Sequence, residues 1–150
     1  MCRLPPCSKL KLSERMRSIL ILAPLLAACS QEAAQPSLVT GTFAGEGRDR
    51  LCIAGEPGAY RAGLIAYGEG NANCSAAGRL KPAGSGWSLV PRGEGECRIP
   101  LEIAGNTVRI GQPPESCSYY CGPGASLPGK AYNRTDMGAK ATDFAGDPLC

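Results

Sequence analysis

Apolar and polar residues alternate most regularly after residue 97. Cys97, Ile99, Leu101 and Ile103 are interleaved with Arg98, Pro100 and Glu102; after Gly105-Asn106, Val108 and Ile110 are interleaved with Thr107 and Arg109. Two period-two runs joined by a turn pair predict a half-buried β-hairpin. Pro100 has no N–H for a ladder, which predicts an edge strand or a bulge at that point. Similar patterning predicts strands over 38–43, 50–54, 60–67, 74–81 and 87–90, with Pro82-Ala83-Gly84-Ser85-Gly86 as a turn, and a last strand over 126–132. About eight short strands with no long helix between them predict an all-β fold. The sheet is antiparallel, closed as a small barrel or folded as a sandwich. Residues 136–145 have the composition for one or two turns of helix. A weak internal repeat runs through the first half: Gly-Glu-Gly stands at 45–47, 68–70 and 93–95, and each copy precedes a cysteine, Cys52, Cys74 and Cys97.

The N-terminal region has a different pattern. Met16-Arg17 is followed by an unbroken apolar run, Ser18-Ile19-Leu20-Ile21-Leu22-Ala23-Pro24-Leu25-Leu26, and then by Ala27-Ala28-Cys29. That run is too short to span a bilayer, which takes about 20 residues. A positive start, a short apolar core and small residues at a cleavage position are the features of an export signal. Leu26-Ala27-Ala28-Cys29 resembles the lipobox of bacterial lipoproteins, in which the cysteine thiol receives diacylglycerol and the chain is cut before that cysteine. The resemblance implies a signal peptide over 1–28, lipidation on Cys29, a polar tether through residue 37 and a folded domain over 38–150. Several acyl chains together make a stable membrane anchor. Ser30 after the cysteine resembles lipoproteins sorted to the outer membrane, so the expected location is the cell envelope, facing the periplasm. Residues 1–15, with Cys2, Cys7 and two prolines, fit this reading poorly, and Met16 is the alternative start to Met1.

Export changes the meaning of the cysteines. With the leader and Cys29 set aside, six remain: Cys52, Cys74, Cys97, Cys117, Cys121 and Cys150. An even number in an oxidising compartment predicts three disulfides, and fifteen pairings are open. With aromatic content of 5% and 20 glycines the core is thin, so such bridges are needed. Metal binding is disfavoured, because the chain has no His and Cys117 and Cys121 are spaced as C-x₃-C.

The formal charge of +3 belongs to the leader, since residues 29–150 hold 11 Lys and Arg against 12 Asp and Glu. That balance argues against nucleic acid as a partner and against a polybasic membrane patch. Without His, Ser-His-Asp and Cys-His sites are excluded. The remaining candidates for acid–base work, Glu46, Asp49, Glu69, Glu94 and Glu96, lie in Gly-rich turns, where carboxylates are usually solvated. We expect no enzymatic activity and no cofactor.

The most distinctive segment is Cys117-Ser118-Tyr119-Tyr120-Cys121-Gly122-Pro123-Gly124. Read as a strand, it sends Tyr119 and Tyr120 to opposite faces, one into the core and one to the surface, where tyrosine suits a protein or glycan partner. Together with the tail ending in Asp147-Pro148-Leu149-Cys150, this segment resembles small uncharacterised lipoproteins of proteobacteria. A second resemblance, to periplasmic lysozyme inhibitors, rests on Ala83-Gly84-Ser85-Gly86-Trp87. It implies contact through Ser85 and Trp87 from a Gly-rich loop. The leading expectation is a lipid-anchored, non-enzymatic binding or envelope-structural module; the alternative is a lysozyme-inhibitor-like protein.

Overall fold

The computed structural model describes residues 37–93, 95–135 and 140–150. The leader, Met16, Cys29 and residues 30–36 of the tether lie outside the described residues, as do Glu94 and 136–139.

Eight strands close into a barrel in chain order: β1 (Gly41–Ala44), β2 (Arg50–Ala54), β3 (Arg61–Tyr67), β4 (Asn73–Ala83), β5 (Gly86–Pro91), β6 (Ile99–Ala104), β7 (Thr107–Ile110) and β8 (Ala131–Thr135). Every neighbour is antiparallel, and β8 closes on β1 through Thr42↔Thr135, Phe43↔Arg134 and Ala44↔Asn133. Of the two architectures expected, the barrel is the one formed. Closure leaves no sheet edge with unpaired backbone groups.

Alternation sets what fills the interior. In β4, Cys74, Ala76, Gly78 and Leu80 are buried while Arg79 and Lys81 are exposed. Phe43, Leu51, Leu64, Leu89, Ile99, Leu101, Val108 and Tyr132 are fully buried, with Ala62, Ala66 and Ala76 between them. Large residues facing small ones pack a narrow barrel solid. The β4–β5 turn is tighter than expected: β4 runs to Ala83, which pairs with Gly86, and Gly84 takes the left-handed φ of 57° that a two-residue turn demands.

Pro100 lies within the closed sheet, where no edge exists. Its carbonyl accepts from Gly111 N at 3.0 Å, just past the end of β7. The N and O of one residue in an antiparallel strand face the same neighbour, so the missing N–H falls where β7 has already stopped.

The last strand also differs from expectation. It spans Ala131–Thr135, not 126–132. Residues before it are drawn away: Gly122 N donates to Asn73 O at 2.9 Å, and Cys121 pairs with Cys74. The helical turn expected within 136–145 does not form over its described part. Asp143 instead accepts from the N–H groups of Ala145 and Asp147, both at 2.9 Å, and Thr142 bridges to Pro148. This tail lies on the outside of β2 and β3. Leu149 and Ala141 bury against Ile65 and Cys52, and the Cys52–Cys150 disulfide fixes the end. Gly63 makes the approach possible, because a Cβ there would collide with the Leu149 backbone.

Because successive strands are antiparallel, β1, β3, β5 and β7 all begin at one end of the barrel. At this N-terminal end Leu38 N donates to Tyr60 Oη at 2.9 Å. The opposite end is capped by a 3-10 helix, η1 (Glu115–Tyr120), in the β7–β8 connection.

Candidate functional site

The pair Pro113-Pro114 precedes η1. Pro114 has extended dihedrals, and its carbonyl accepts from Cys117 N to start the first tight turn. Cys121 N closes the helix onto Ser118 O. Tyr119 and Tyr120 therefore sit on a 3-10 helix and not on a strand. The reason is local: a helix start set by proline, and disulfides on both sides. Cys117 is bound to Cys97 and Cys121 to Cys74. These two bridges pin η1 to the β5–β6 connection and to the start of β4.

The tyrosines nevertheless divide as expected. Tyr120 packs partly against the core, and its hydroxyl donates to Arg92 O at 3.2 Å. Tyr119 is 88% exposed, its ring edge-on to that of Tyr120 with centroids 5.4 Å apart. Beside it runs a groove of about 610 Å³ lined by Asn71, Asn73, Ser75, Tyr119, Tyr120 and Gly122. Asn71 is held by Arg48, whose Nη2 donates to Asn71 Oδ1 at 3.3 Å, and the Arg48 guanidinium stacks 4.0 Å over the Tyr67 ring. A smaller groove of about 180 Å³, walled by Pro113, Pro114, Leu127 and Pro128, flanks the cysteines of η1. The capped end thus offers an aromatic face, side-chain amides and rigid walls.

Ser85 and Trp87 are not part of this surface. Both belong to the β4–β5 hairpin at the N-terminal end. Ser85 is exposed at the hairpin tip. Trp87 turns inward and is only 7% exposed, its ring edge-on to Tyr60 with centroids 5.8 Å apart. The rest of its surface lines, with Ser85 and Gly86, a groove of about 360 Å³.

Of the candidate carboxylates, Glu46, Glu69 and Glu96 are exposed. Asp49 is the exception to the expectation of solvated turns: it is 2% exposed. Its Oδ1 accepts from Tyr67 N at 2.7 Å and its Oδ2 from Lys130 Nζ at 2.9 Å. Lys130 also donates to Tyr67 O at 3.0 Å. With both oxygens engaged, Asp49 acts as a staple between the β1–β2 turn, β3 and the segment entering β8. Nothing local in the sequence marks it, because Lys130 is 81 positions away. Tyr132 lies nearby; burial and then the Asp49 carboxylate raise the pKa of its phenol far above the ordinary tyrosine value. Among the described residues, no group of three His, Cys, Asp or Glu side chains is placed to hold a metal ion.

No family model matches the chain, and neither a curated protein nor a solved structure matches it.

Proposed function

We propose that this protein is a lipid-anchored lipoprotein of the bacterial envelope, carrying a non-enzymatic binding barrel that engages its partner through the Tyr119 surface. The observation that carries this reading is the exposure of Tyr119, 88% in water on a helix held by two disulfides. A rigid, exposed tyrosine loses little conformational entropy on binding and gains a large contact area. The adjoining Asn71 and Asn73 add amide donors and acceptors. An aromatic face beside amides suits a sugar, which presents C–H groups on one face and hydroxyls at its edge. We therefore favour an envelope glycan over a protein as the partner. The expected anchor fits this orientation, since Leu38 joins the barrel at the end opposite η1.

Co-sedimentation of the protein with insoluble cell-wall glycan tests the reading. Wild-type protein is expected in the pellet, and Tyr119→Ala is expected to weaken binding at least tenfold while leaving the thermal midpoint unchanged. Equal sedimentation of the two proteins refutes it. Intact mass of the protein extracted from its own membranes tests the anchor: the expected chain begins at Cys29 and carries acyl groups. The lysozyme-inhibitor alternative retains Ser85 at a Gly-flanked hairpin tip, in one groove with Trp87, which is only 7% exposed. It predicts loss of lysozyme activity when the protein is added.

A further inference from the structure

The near-neutral charge of the domain conceals an uneven distribution. Strands β3, β4 and β5 contain Arg61, Arg79 and Lys81 and no acidic residue at all. Arg61 and Arg79 are direct cross-strand partners. Like charges placed opposite each other oppose pairing, so this arrangement needs an explanation outside the sheet. Among the described residues none of the three is in an ion pair; the salt bridge found is Lys130–Asp49, at the other end of the barrel. All three are exposed on the outer face, at the N-terminal end, and they line one groove of about 470 Å³ with Gly58, Ala59 and Tyr60. The acid of the adjoining β2–β3 loop, Glu56, is exposed and does not line it.

The place where the chain enters indicates what this groove meets. Leu38 is bonded to Tyr60, which lines the groove and precedes Arg61. Nine residue steps separate Cys29 from Leu38 in the sequence. At no more than about 3.5 Å per residue, they let this end of the barrel stand at most roughly 30 Å from an acylated Cys29.

We propose that Arg61, Arg79 and Lys81 cradle the phosphate of an anionic lipid headgroup in the membrane that holds the anchor. This rests on the lipid-anchored reading above. Guanidinium forks match phosphate oxygens in pairs, and lysine adds a point charge. The contact orients the barrel with its N-terminal end on the bilayer and Tyr119 away from it. It forms after anchoring and is weakened by salt. Each cation near an anionic surface contributes about fivefold to association, so the three together contribute on the order of 100-fold.

The test uses full-length protein purified from membranes and reconstituted with vesicles, either of pure phosphatidylcholine or of equal parts phosphatidylcholine and phosphatidylglycerol. Flotation with the pure phosphatidylcholine vesicles reads the anchor. The rate at which an amine-reactive reagent labels Lys81, with Lys130 as internal reference, reads the headgroup contact. Expected is flotation with both vesicles and at least fivefold slower labelling of Lys81 on the anionic ones, abolished in Arg61→Gln/Arg79→Gln. Flotation with equal labelling on both vesicles overturns the headgroup contact and leaves the anchor standing. Failure to float on phosphatidylcholine refutes the anchor. In that case flotation on the anionic vesicles alone, lost in the double variant, still supports the cradle, and no flotation on either overturns it. Equal protection of Lys81 by inorganic phosphate on phosphatidylcholine, with no further protection by phosphatidylglycerol, assigns the groove to a free ion and overturns the lipid source.

Discussion

Replacing Lys130 by methionine keeps the aliphatic stem and removes the charge that Asp49 faces. Lys130 Nζ lies 2.9 Å from Asp49 Oδ2 and 3.0 Å from Tyr67 O. The Asp49 side chain is 2% exposed and that of Lys130 26%. Methionine therefore strands a buried carboxylate oxygen and removes a partner of the Tyr67 carbonyl. An orphaned buried polar group costs about 1–3 kcal/mol, and an unpaired buried charge about 3–5 kcal/mol. Water can reach the Lys130 side of the pair, which places the expected loss where the two ranges meet, at about 3 kcal/mol. For a domain of this size that lowers Tm by roughly 10–15 °C. Urea unfolding with the disulfides intact, followed by Trp87 fluorescence, measures the loss directly. A second substitution separates charge from packing. Asn at position 49 keeps an acceptor for Tyr67 N and carries no charge, so Asp49→Asn on top of Lys130→Met is expected to recover more than half of the loss. A loss below about 0.5 kcal/mol for Lys130→Met refutes the reasoning, because that is how an exposed ion pair behaves. Strictly additive losses in the double variant refute it as well.

Tyr132 predicts an alkaline limit to stability. Burial and the Asp49 carboxylate raise its phenol pKa, while in the unfolded chain tyrosine ionises near pH 10. Above that pH the folded state retains a proton that the unfolded state has released. The contribution is complete below pH ~10 and falls by about 1.4 kcal/mol per pH unit as pH rises while the folded phenol stays neutral. Tyr132→Phe is expected to remove this slope at little cost near neutrality, since the phenol's bond to Ile65 O is long at 3.5 Å; an unchanged slope in urea titrations contradicts it. Gly63→Ala forces a Cβ into the backbone of Leu149. Overpacking of this kind costs about 1–3 kcal/mol, and the tail should lift while remaining tied through Cys52–Cys150. Faster amide exchange at Leu149, whose N–H donates to Ala141 O, reports the release, and wild-type exchange together with wild-type stability contradicts it.

What the sequence made legible follows from the range of the interactions involved. Period-two alternation is local, so seven of the eight strands lie within a few residues of their expected places. The eighth starts later than expected because Leu127-Pro128-Gly129 has the pattern of a strand, whereas Lys130 N donates to Leu127 O and Gly129 N to Ile110 O, so the chain turns beside the end of β7 before β8 begins. Tyr119 lies in solvent and Tyr120 only partly against the core, on a 3-10 helix and not on the expected strand, since nothing in a diproline distinguishes a helix start from an extended turn. Trp87 follows a Gly-rich turn, which marks it for contact, while alternation with Leu89 turns most of its ring inward; it is 7% exposed and lines a groove with Ser85. Disulfide pairing, the Asp49–Lys130 staple and the Arg61–Arg79–Lys81 cradle all join residues remote in sequence, or adjacent only once strands pair. The cradle was hidden further by a net charge near zero, which averages over a surface whose two ends differ.

That difference between the ends follows from the topology. An even number of antiparallel strands brings the start of β1 and the finish of β8 to the same end of the barrel, so the tether joins the end reached by the connections at 55–60, 84–85 and 105–106. Two of these are two-residue turns, and neither can hold a flat surface away from the barrel rim. The connections at the far end, 45–49, 68–72, 92–98 and 111–130, are as a group longer, and the last has room for η1 and the tyrosines. Loops vary in length most cheaply where they do not have to pack against another surface. A barrel held close to a bilayer at one end meets that condition only at the other. Under the proposed anchoring, the two-residue turns at the end that Leu38 joins and the long, disulfide-pinned connection beneath Tyr119 are two consequences of one constraint. They can still be tested apart, because the vesicle measurement perturbs Arg61 and Arg79 and the glycan measurement perturbs Tyr119, with the whole packed interior between them.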